Sequence, residues 1–240
     1  MFEKYKTLLR EARVREMARA LAPVDPAVFE DELAMKTSWD PAVSGGYNFG
    51  THNLKLVSPE RMVFSASMAA RLFIGIFFAA GLVVIICIPI FWDELDLPGV
   101  LGIFIFGGVF LGFAFFLGSR MCELRSFDRP EGCFWKGRWK RGDGALSIRR
   151  ADLNARLEKE ALKDYIDLAD VYAIQLIKEY VPGSSGTDSR SSPYYSYELN
   201  LVLKDGERKN VVDHGNLTRI RADAIQLGEF LGNLPVWDAT

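Results

Sequence analysis

Two long apolar runs dominate the pattern of hydrophobic and polar positions along the chain. Leu72–Trp92 and Pro98–Gly118 each span 21 residues without a charged side chain, and only Asp93–Leu97 separates them. The hydrocarbon core of a bilayer, about 30 Å thick, requires roughly 20 helical residues to cross. Buried helices of a soluble core are the alternative, but such helices normally keep a polar stripe, and these runs have none. The pattern therefore predicts a transmembrane hairpin of two antiparallel helices.

Small residues recur at helical spacing inside both runs. Gly75 and Ala79 form one small-xxx-small pair, and Gly108 and Gly112 form a second, with Gly107 beside it. Small side chains allow helix backbones to approach closely in lipid, so these five residues are predicted to pack helix against helix. Packing within the hairpin is the first interpretation, and a homo-oligomer through the spans is the second. Neither run contains a charged residue, His, Asn or Gln, which disfavours a transporter or pump.

Basic residues lie on one side of the predicted hairpin. The tip carries acidic but no basic residues, whereas Lys and Arg precede the first run and follow the second. Residues 120–150 contain nine Lys or Arg and four Asp or Glu, although the whole chain has a formal net charge of −2. Because basic flanks stay on the cytoplasmic side, the sequence predicts a membrane protein with two spans and both termini cytoplasmic. The basic cluster is expected to attract anionic headgroups of the lipid bilayer, and no nucleic-acid partner is expected.

The N-terminal region, residues 1–67, is predicted to be a cytoplasmic segment of its own. Apolar residues at helical spacing predict an amphipathic helix over 1–22, which two prolines end. A loop punctuated by Gly and Pro follows over 38–51, and the pattern of 53–64 predicts a β-hairpin before the membrane. His52 lies at the junction and is expected to be a hydrogen-bonded turn residue.

Residues 68–119 make up the predicted membrane domain, and 120–240 are predicted to form a cytoplasmic α+β domain. Val171–Val181 is rich in β-branched and aromatic residues, as in a strand. Alternation in the next strand places Tyr195, Tyr197, Leu199, Leu201 and Leu203 on one face and the polar residues Ser196, Glu198, Asn200 and Lys204 on the other, which is expected to be exposed. Asn216 is placed to cap an amphipathic helix over 217–231. The fold class is therefore an α+β membrane protein, with a transmembrane hairpin and a C-terminal antiparallel sheet capped by a helix.

Several phrases in the C-terminal half resemble known families. They include Phe127-Asp128-Arg129, Phe134-Trp135-Lys136-Gly137, Tyr172-Ala173-Ile174-Gln175-Leu176-Ile177, Tyr197-Glu198-Leu199-Asn200-Leu201-Val202-Leu203 and Asn210-Val211-Val212-Asp213-His214-Gly215-Asn216. These phrases resemble an uncharacterised family of proteobacterial two-span inner-membrane proteins. The order of strands and final helix also resembles pleckstrin-homology-like (PH-like) modules, and the two spans before such a domain resemble the photosystem I assembly factor family. The resemblance implies the architecture and carries no activity.

The sequence offers little chemistry for catalysis. Asp213, His214 and Asn216 form the most suggestive cluster, but a strand that ends before a capped helix uses the same residues for its turn and cap. No phosphate-binding loop or HExxH motif is present. The three cysteines, Cys87, Cys122 and Cys133, lack CxxC spacing and suit a reducing compartment without a zinc site. The sequence therefore predicts a protein that is not an enzyme and needs no cofactor or metal.

Recognition of a protein remains as the predicted function. A sheet with a polar face beside a Ser/Gly-rich loop suits binding of a protein segment. Tyr194, Tyr195 and Tyr197, together with Asp213, His214 and Asn216, form the candidate partner surface. The first hypothesis is an assembly or regulatory factor whose cytoplasmic domain binds a protein partner. The alternative is an immunity protein whose hairpin meets a pore-forming toxin in the inner membrane.

Overall fold

The structure is a computed structural model, and it describes residues 23–91, 96–137, 162–183, 185–186, 189–190 and 192–240. The predicted helix over 1–22, most of the hairpin tip and the charged stretch between 138 and 161 lie outside the described residues.

In chain order the described helices and strands are α1 Glu32–Lys36, β1 His52–Ser58, β2 Arg61–Ala66, α2 Met68–Ile90, α3 Leu97–Met121, β3 Leu124–Asp128, β4 Cys133–Gly137, β5 Leu162–Asp167, β6 Val171–Val181, β7 Ser185–Gly186, β8 Ser189–Arg190, β9 Tyr194–Leu203, β10 Arg208–His214, α4 Leu217–Phe230 and β11 Val236–Ala239. A 3-10 turn over Pro26–Phe29 precedes α1, and another over Leu168–Asp170 precedes β6.

The chain forms two compact units, which differ from the predicted division at 67 and 119. Residues 51–165 form one unit, here called the hairpin unit. Residues 1–50 join residues 166–240 in the other, here called the head unit. The predicted C-terminal domain is split because β3 and β4 pair with β2, ahead of the helices, and not with the later strands.

In the hairpin unit a five-stranded sheet carries the two long helices as an insertion. The strand order is β1-β2-β3-β4-β5, and α2 and α3 lie between β2 and β3, which pair antiparallel from Arg61↔Asp128 to Phe64↔Arg125. Arg61 and Asp128 also form an ion pair with little exposure to solvent. His52, expected in a turn, is a buried residue of β1, with Nδ1 2.9 Å from Thr51 Oγ1 and Nε2 against the Arg125 guanidinium.

Both long helices begin with a side-chain cap. Ser67 Oγ accepts a hydrogen bond from Ala70 N at 3.1 Å, and Asp96 Oδ1 accepts one from Gly99 N at 2.9 Å, so an otherwise unpaired amide is satisfied at each start. Helices α2 and α3 have 23 and 25 residues and are long and apolar enough to cross a membrane. Helix α2 starts four residues before the predicted run 72–92 and ends two residues before its end, at Ile90. Helix α3 extends beyond the predicted run 98–118 at both ends.

The head unit is built on a four-stranded sheet of order β10-β9-β6-β11. Strands β6 and β9 pair over their length, from Val171↔Leu203 to Val181↔Tyr194, and Gly206 turns β9 into β10 with a φ of +87°. The predicted strands 171–181 and 195–203 are confirmed, as is the helix that Asn216 caps through Arg219 N at 3.0 Å. Strand β11, which the sequence did not predict, pairs parallel with β6, so the sheet is mixed and not purely antiparallel.

Helix α4 packs on one face of this sheet and contacts β6, β9 and β11. Ile174, Leu176, Leu199 and Leu201 are fully buried on this face, where Ile174 opposes Leu201 and Leu176 opposes Leu199. A Cβ at Gly228 would lie 3.7 Å from Ile174 Cδ1, so glycine lets the helix approach closely. The predicted apolar face of β9 is therefore the core of the head unit, and the opposite face is available for polar contacts.

Candidate functional site

The polar face of the head-unit sheet binds a bent, irregular segment of the same chain. This segment, residues 38–50, is here called the strap. It bends over residues 42–45, and Gly45 has a φ of +83°. Its main-chain groups contact side chains of β6, β9 and β10, and Gly50 forms an isolated antiparallel bridge with His214. The strap therefore shows how this face holds a bent polypeptide through its main chain.

Two carboxylates hold four main-chain amides of the strap. Glu198 on β9 accepts from Ala42 N at 2.9 Å and from Val43 N at 3.2 Å. Glu179 on β6 accepts from Gly45 N at 2.9 Å and from Gly46 N at 3.3 Å. Hydrogen bonds to an ionised acceptor are shorter and stronger than neutral ones, so these contacts dominate the polar recognition.

Three further side chains donate to strap carbonyls. Gln175 Nε2 donates to Ser38 O at 3.1 Å, and Arg208 Nη1 donates to Asp40 O at 2.7 Å. The Tyr194 hydroxyl donates to Gly46 O at 2.8 Å. All of these acceptors are main-chain oxygens, so the sheet recognises the backbone of the strap and not its side chains.

Glycines make this close approach possible. A Cβ at Gly46 would lie 2.1 Å from Ser196 Oγ, and one at Gly50 would lie 2.8 Å from His214 Nε2. On the sheet side, a Cβ at Gly215 would lie 2.1 Å from the carbonyl carbon of Asn48. Real Cβ atoms do not reach such distances, so these three positions require glycine for the strap to sit as it does.

The polar face predicted to be exposed is buried beneath the strap. Ser196 and Glu198 are 2% and 3% exposed, and Asn200 is fully buried, whereas Lys204 beyond the strap is exposed. Alternation assigned these residues to the correct face. It could not show that a segment roughly 150 positions earlier covers them, since Ala42 and Glu198 are 156 residues apart in sequence.

An aromatic cluster fixes the chain just before and at the start of the strap. Trp39 stacks on Phe29 with ring centroids 4.9 Å apart, and Trp237 of β11 lies 6.1 Å from Trp39. Tyr172 also packs on Trp237, and its hydroxyl donates to Asp31 Oδ2 at 2.8 Å. Asp31 in addition caps α1 through Leu33 N and Ala34 N. The cluster thus positions the strap at one end of the sheet.

The Asp31–Tyr172 hydrogen bond shifts both ionisation equilibria. Burial raises the pKa of Asp31, but hydrogen bonds from Tyr172 and from two backbone amides outweigh it, and the pKa lies below the ordinary 3.8. The hydrogen bond to Asp31, then burial, raises the pKa of Tyr172 above the ordinary 10.0. Both shifts favour the hydrogen-bonded pair with an ionised carboxyl and a neutral phenol.

We expect the docking of residues 25–39 to weaken at both pH extremes. The stabilisation contributed by Asp31 is complete above pH 3.8 and is lost as the pH falls through the lowered pKa of this carboxyl. The stabilisation contributed by Tyr172 is complete below pH 10.0 and is lost as the pH rises through the raised pKa of this phenol. The measurement is the fluorescence difference between the wild-type chain and Trp39→Phe across pH. Tyr172→Phe, which keeps the ring but removes the hydroxyl, should abolish the alkaline loss. Identical profiles with and without the hydroxyl would contradict this expectation.

The predicted partner surface is divided by the structure. Tyr194 belongs to the strap site, whereas Tyr195 and Tyr197 lie on the face that carries α4. There Tyr195 packs edge-on against Tyr180 at 5.5 Å, with Lys178 Nζ 5.6 Å from its ring centroid. These residues are partly exposed and lie together at one end of β6 and β9.

Asp213, His214 and Asn216 have local structural roles. Asp213 Oδ1 accepts from Asn210 Nδ2 at 3.0 Å, while Asn210 Nδ2 also donates to Glu198 Oε1 at 2.9 Å. His214 is buried, and its Nδ1 accepts from Asn216 N at 2.9 Å. Asp213 and His214 therefore support the strap site from its β10 edge.

Within the described residues no group of His, Cys, Asp and Glu could hold a metal ion. Cys87 lies in α2, Cys122 is exposed at the end of α3, and Cys133 is buried.

The predicted packing glycines of the helices differ in their surroundings. A Cβ at Gly107 would lie 2.7 Å from Ile85 Cγ1, and one at Gly81, which the sequence did not single out, would lie 2.9 Å from Gly107 O. Gly75, Gly108 and Gly112 have open space around them, and Ala79 is exposed. The closest approach of α2 and α3 is thus at Gly81 and Gly107.

Sequence reasoning missed Glu179, Gln175 and Arg208 as site residues. A signal was present, since Gln175 and Glu179 are the polar residues on a strand face that otherwise carries Val171, Ala173, Ile177 and Val181, and the loop upstream contains Gly45-Gly46 and Gly50. Polar residues inside a strand together with a glycine-rich segment elsewhere indicate close approach of a second backbone.

Searches against family models, curated proteins and solved structures find no match to this chain. The resemblance to two-span proteobacterial proteins and to PH-like modules therefore stays a prediction, and any function has to be argued from the two units themselves.

Proposed function

We propose that the chain is a non-enzymatic inner-membrane protein whose head unit binds a protein partner on the cytoplasmic side, as an assembly or regulatory factor does. The observation that carries this proposal is the strap site, in which carboxylates and polar side chains hold the main chain of a bent segment. Sheet side chains that bind main-chain groups can hold a polypeptide, and this binding requires no catalytic group.

The membrane location is supported by the two helices. At 1.5 Å per residue, α2 and α3 measure about 34 and 37 Å, which exceeds a hydrocarbon core of about 30 Å. Their outward side chains are large and apolar, among them Leu72, Ile76, Ile105 and Phe115. Such a surface would be costly in water and is favourable in lipid. The basic residues at the sheet end of the helices support a cytoplasmic location for the head unit and for the sheet of the hairpin unit.

The structural contacts of His214 support the proposal that the chain is not an enzyme. Its Nδ1 is engaged by Asn216 N, and its ring lies against Gly50 of the strap. Nucleophilic catalysis needs a base that reaches a nucleophile and a substrate, and this histidine is buried among structural contacts.

A second candidate function is an immunity protein against a pore-forming toxin. It is favoured by the open space beside Gly75, Gly108 and Gly112, which lie on helix surfaces that the hairpin itself does not use. Small residues on a lipid-facing surface allow another helix to approach, whether from a toxin or from a second copy of the chain.

We expect the chain to stay in the membrane fraction after carbonate washing, with Cys122 accessible from the cytoplasmic side. Cys122 is exposed at the end of α3, whereas Cys133 is buried. A membrane-impermeant maleimide should therefore modify Cys122 in inverted inner-membrane vesicles and not in intact spheroplasts, as read by mass spectrometry of the peptides.

The matched control for this labelling is Cys122→Ser, which should remove the signal. Labelling in spheroplasts alone would reverse the proposed orientation, and release of the chain by carbonate would contradict the membrane proposal.

A further inference from the structure

We propose that the polar face of the head-unit sheet is an exchangeable binding site for a bent, glycine-containing segment of a partner protein, and that the strap is its resident competitor. The ligand class is a polypeptide that bends as residues 42–46 do, with glycine at the positions of Gly45, where φ is +83°, and of Gly46. This inference rests on the proposed protein-binding function and names the surface that would carry it.

The first support is that the site reads the main chain. Seven main-chain groups of residues 38–46 form hydrogen bonds with side chains of the sheet. Four amides donate to the carboxylates of Glu179 and Glu198, and three carbonyls accept from Gln175, Tyr194 and Arg208. The strap's own side chains contribute little there, since Val43 is 48% and Tyr47 is 40% exposed. A different segment with the same backbone path could make the same contacts.

The second support is that the strap leaves part of the site unsatisfied. Asn200 Oδ1 is buried beneath it without a hydrogen-bond partner. A buried polar group without a partner costs about 1–3 kcal/mol. A segment that carries a donor opposite this atom would therefore bind the face more favourably than the strap does.

The same atom decides between a partner and a second copy. The strap of a second copy has the same sequence and leaves Asn200 Oδ1 unsatisfied as well, so it gains nothing over the resident strap. The resident strap also benefits from an effective concentration in the millimolar range because it is tethered. Only a segment with a better match can displace it, which identifies the occupant as part of a different protein.

Sequence selectivity would come from glycine and from the aromatic end. A Cβ at Gly46 would collide with Ser196 Oγ at 2.1 Å, so the ligand needs glycine there. Trp39 packs between Phe29 and Trp237 at the start of the strap, which provides a second fixed point. The intervening positions are open to variation.

The test uses the full chain in lipid nanodiscs and a synthetic peptide with the sequence of residues 37–50 as the probe. In the Gly46→Val chain the resident strap cannot bind the sheet, because the added Cβ would lie 2.1 Å from Ser196 Oγ, while the side chains of the sheet are unchanged. We expect this chain to bind the peptide at least about tenfold more tightly than the wild type, in which the tethered strap competes. Hydrogen exchange should show faster exchange at residues 42–46 in the variant and unchanged exchange in α4.

Two matched controls define the site. A peptide with valine in place of both central glycines should not bind the Gly46→Val chain. The triple variant Gly46→Val/Glu179→Gln/Glu198→Gln should lose most of the affinity for the unmodified peptide. Failure of the Gly46→Val chain to bind the peptide, with α4 still protected, would overturn the inference, as would equal binding of both peptides. If α4 loses protection, Gly46→Ala replaces Gly46→Val, because its Cβ alone would already lie 2.1 Å from Ser196 Oγ while every side chain of the sheet stays in place.

Photo-crosslinking in cells separates this inference from the function on which it rests. A photoreactive phenylalanine at Tyr194, which keeps an aromatic ring in the strap site, should capture a partner protein in the Gly46→Val chain, more strongly than in the wild type. Capture only from Tyr195 or Tyr197 would overturn the strap site and leave protein binding intact. Capture from none of these positions would overturn both.

Discussion

Gly215→Ala is expected to expel the strap from the sheet face and to lower the free energy of unfolding of the head unit by about 2 kcal/mol. The added Cβ would lie 2.1 Å from the carbonyl carbon and 2.3 Å from the nitrogen at the Asn48–Phe49 junction. Those atoms are backbone and cannot rotate away as a side chain can, so the whole segment has to move. Hydrogen exchange at residues 42–50 and chemical denaturation in detergent measure the two effects.

Gly75→Ala is the matched control for this substitution. It adds the same methyl group where nothing lies within 4 Å and where a helical alanine is favoured over glycine by about 1 kcal/mol. It should leave both measurements unchanged or show slight stabilisation. An unchanged head unit in Gly215→Ala, with residues 42–50 still protected, would refute the described path of the strap.

Gly107→Leu is expected to separate the two long helices and to destabilise the hairpin unit by about 3 kcal/mol. At this position even a Cβ would meet Ile85 Cγ1 at 2.7 Å and Gly81 O at 3.1 Å. In lipid, close van der Waals packing supplies much of the attraction between helices, so the lost contact is not replaced by hydrophobic burial. Crosslinking by a short bis-maleimide between cysteines placed at Phe77 and Phe113, whose rings lie 4.9 Å apart across the two helices, is measured in membranes with and without Gly107→Leu and reports the separation.

Gly108→Leu and Gly112→Leu are the neighbouring controls, because both positions have open space. They should leave the crosslink within the hairpin intact. Loss of protection against a toxin in these two variants, with the strap site intact, would favour the immunity function over partner binding by the head unit. Loss of the intramolecular crosslink in all three variants would contradict the assignment of the closest approach to Gly81 and Gly107.

Much of the secondary structure could be predicted from periodicity, because each element is encoded by its own residues. The apolar runs, the alternation along Tyr194–Leu203 and the cap at Asn216 are local patterns. The short strand Val236–Ala239 lacked such a pattern, since four residues after a proline give too little alternation to recognise.

The candidate site could not be predicted because its contacts join distant residues through main-chain atoms. Glu179 and Glu198 bind amides of residues 42–46, and an amide is the same in every non-proline residue. Only the glycines at positions 46, 50 and 215 indicate in the sequence that two backbones approach closely. In the helices, the small-xxx-small spacing identified five small residues, but the rotation of each helix within the pair decides which glycines meet, and this depends on the whole hairpin.

The insertion of both helices between β2 and β3 also constrains the order of assembly. Strand β3 is synthesised only after the complete second helix, so the β2–β3 ladder, which starts at Arg61↔Asp128, has to form late. Once formed, it fixes the outer ends of the two helices at the spacing of neighbouring strands, about 4.8 Å between backbones at the ladder. The sheet therefore holds one end of the helix pair together, and the two helices can spread only at their opposite end.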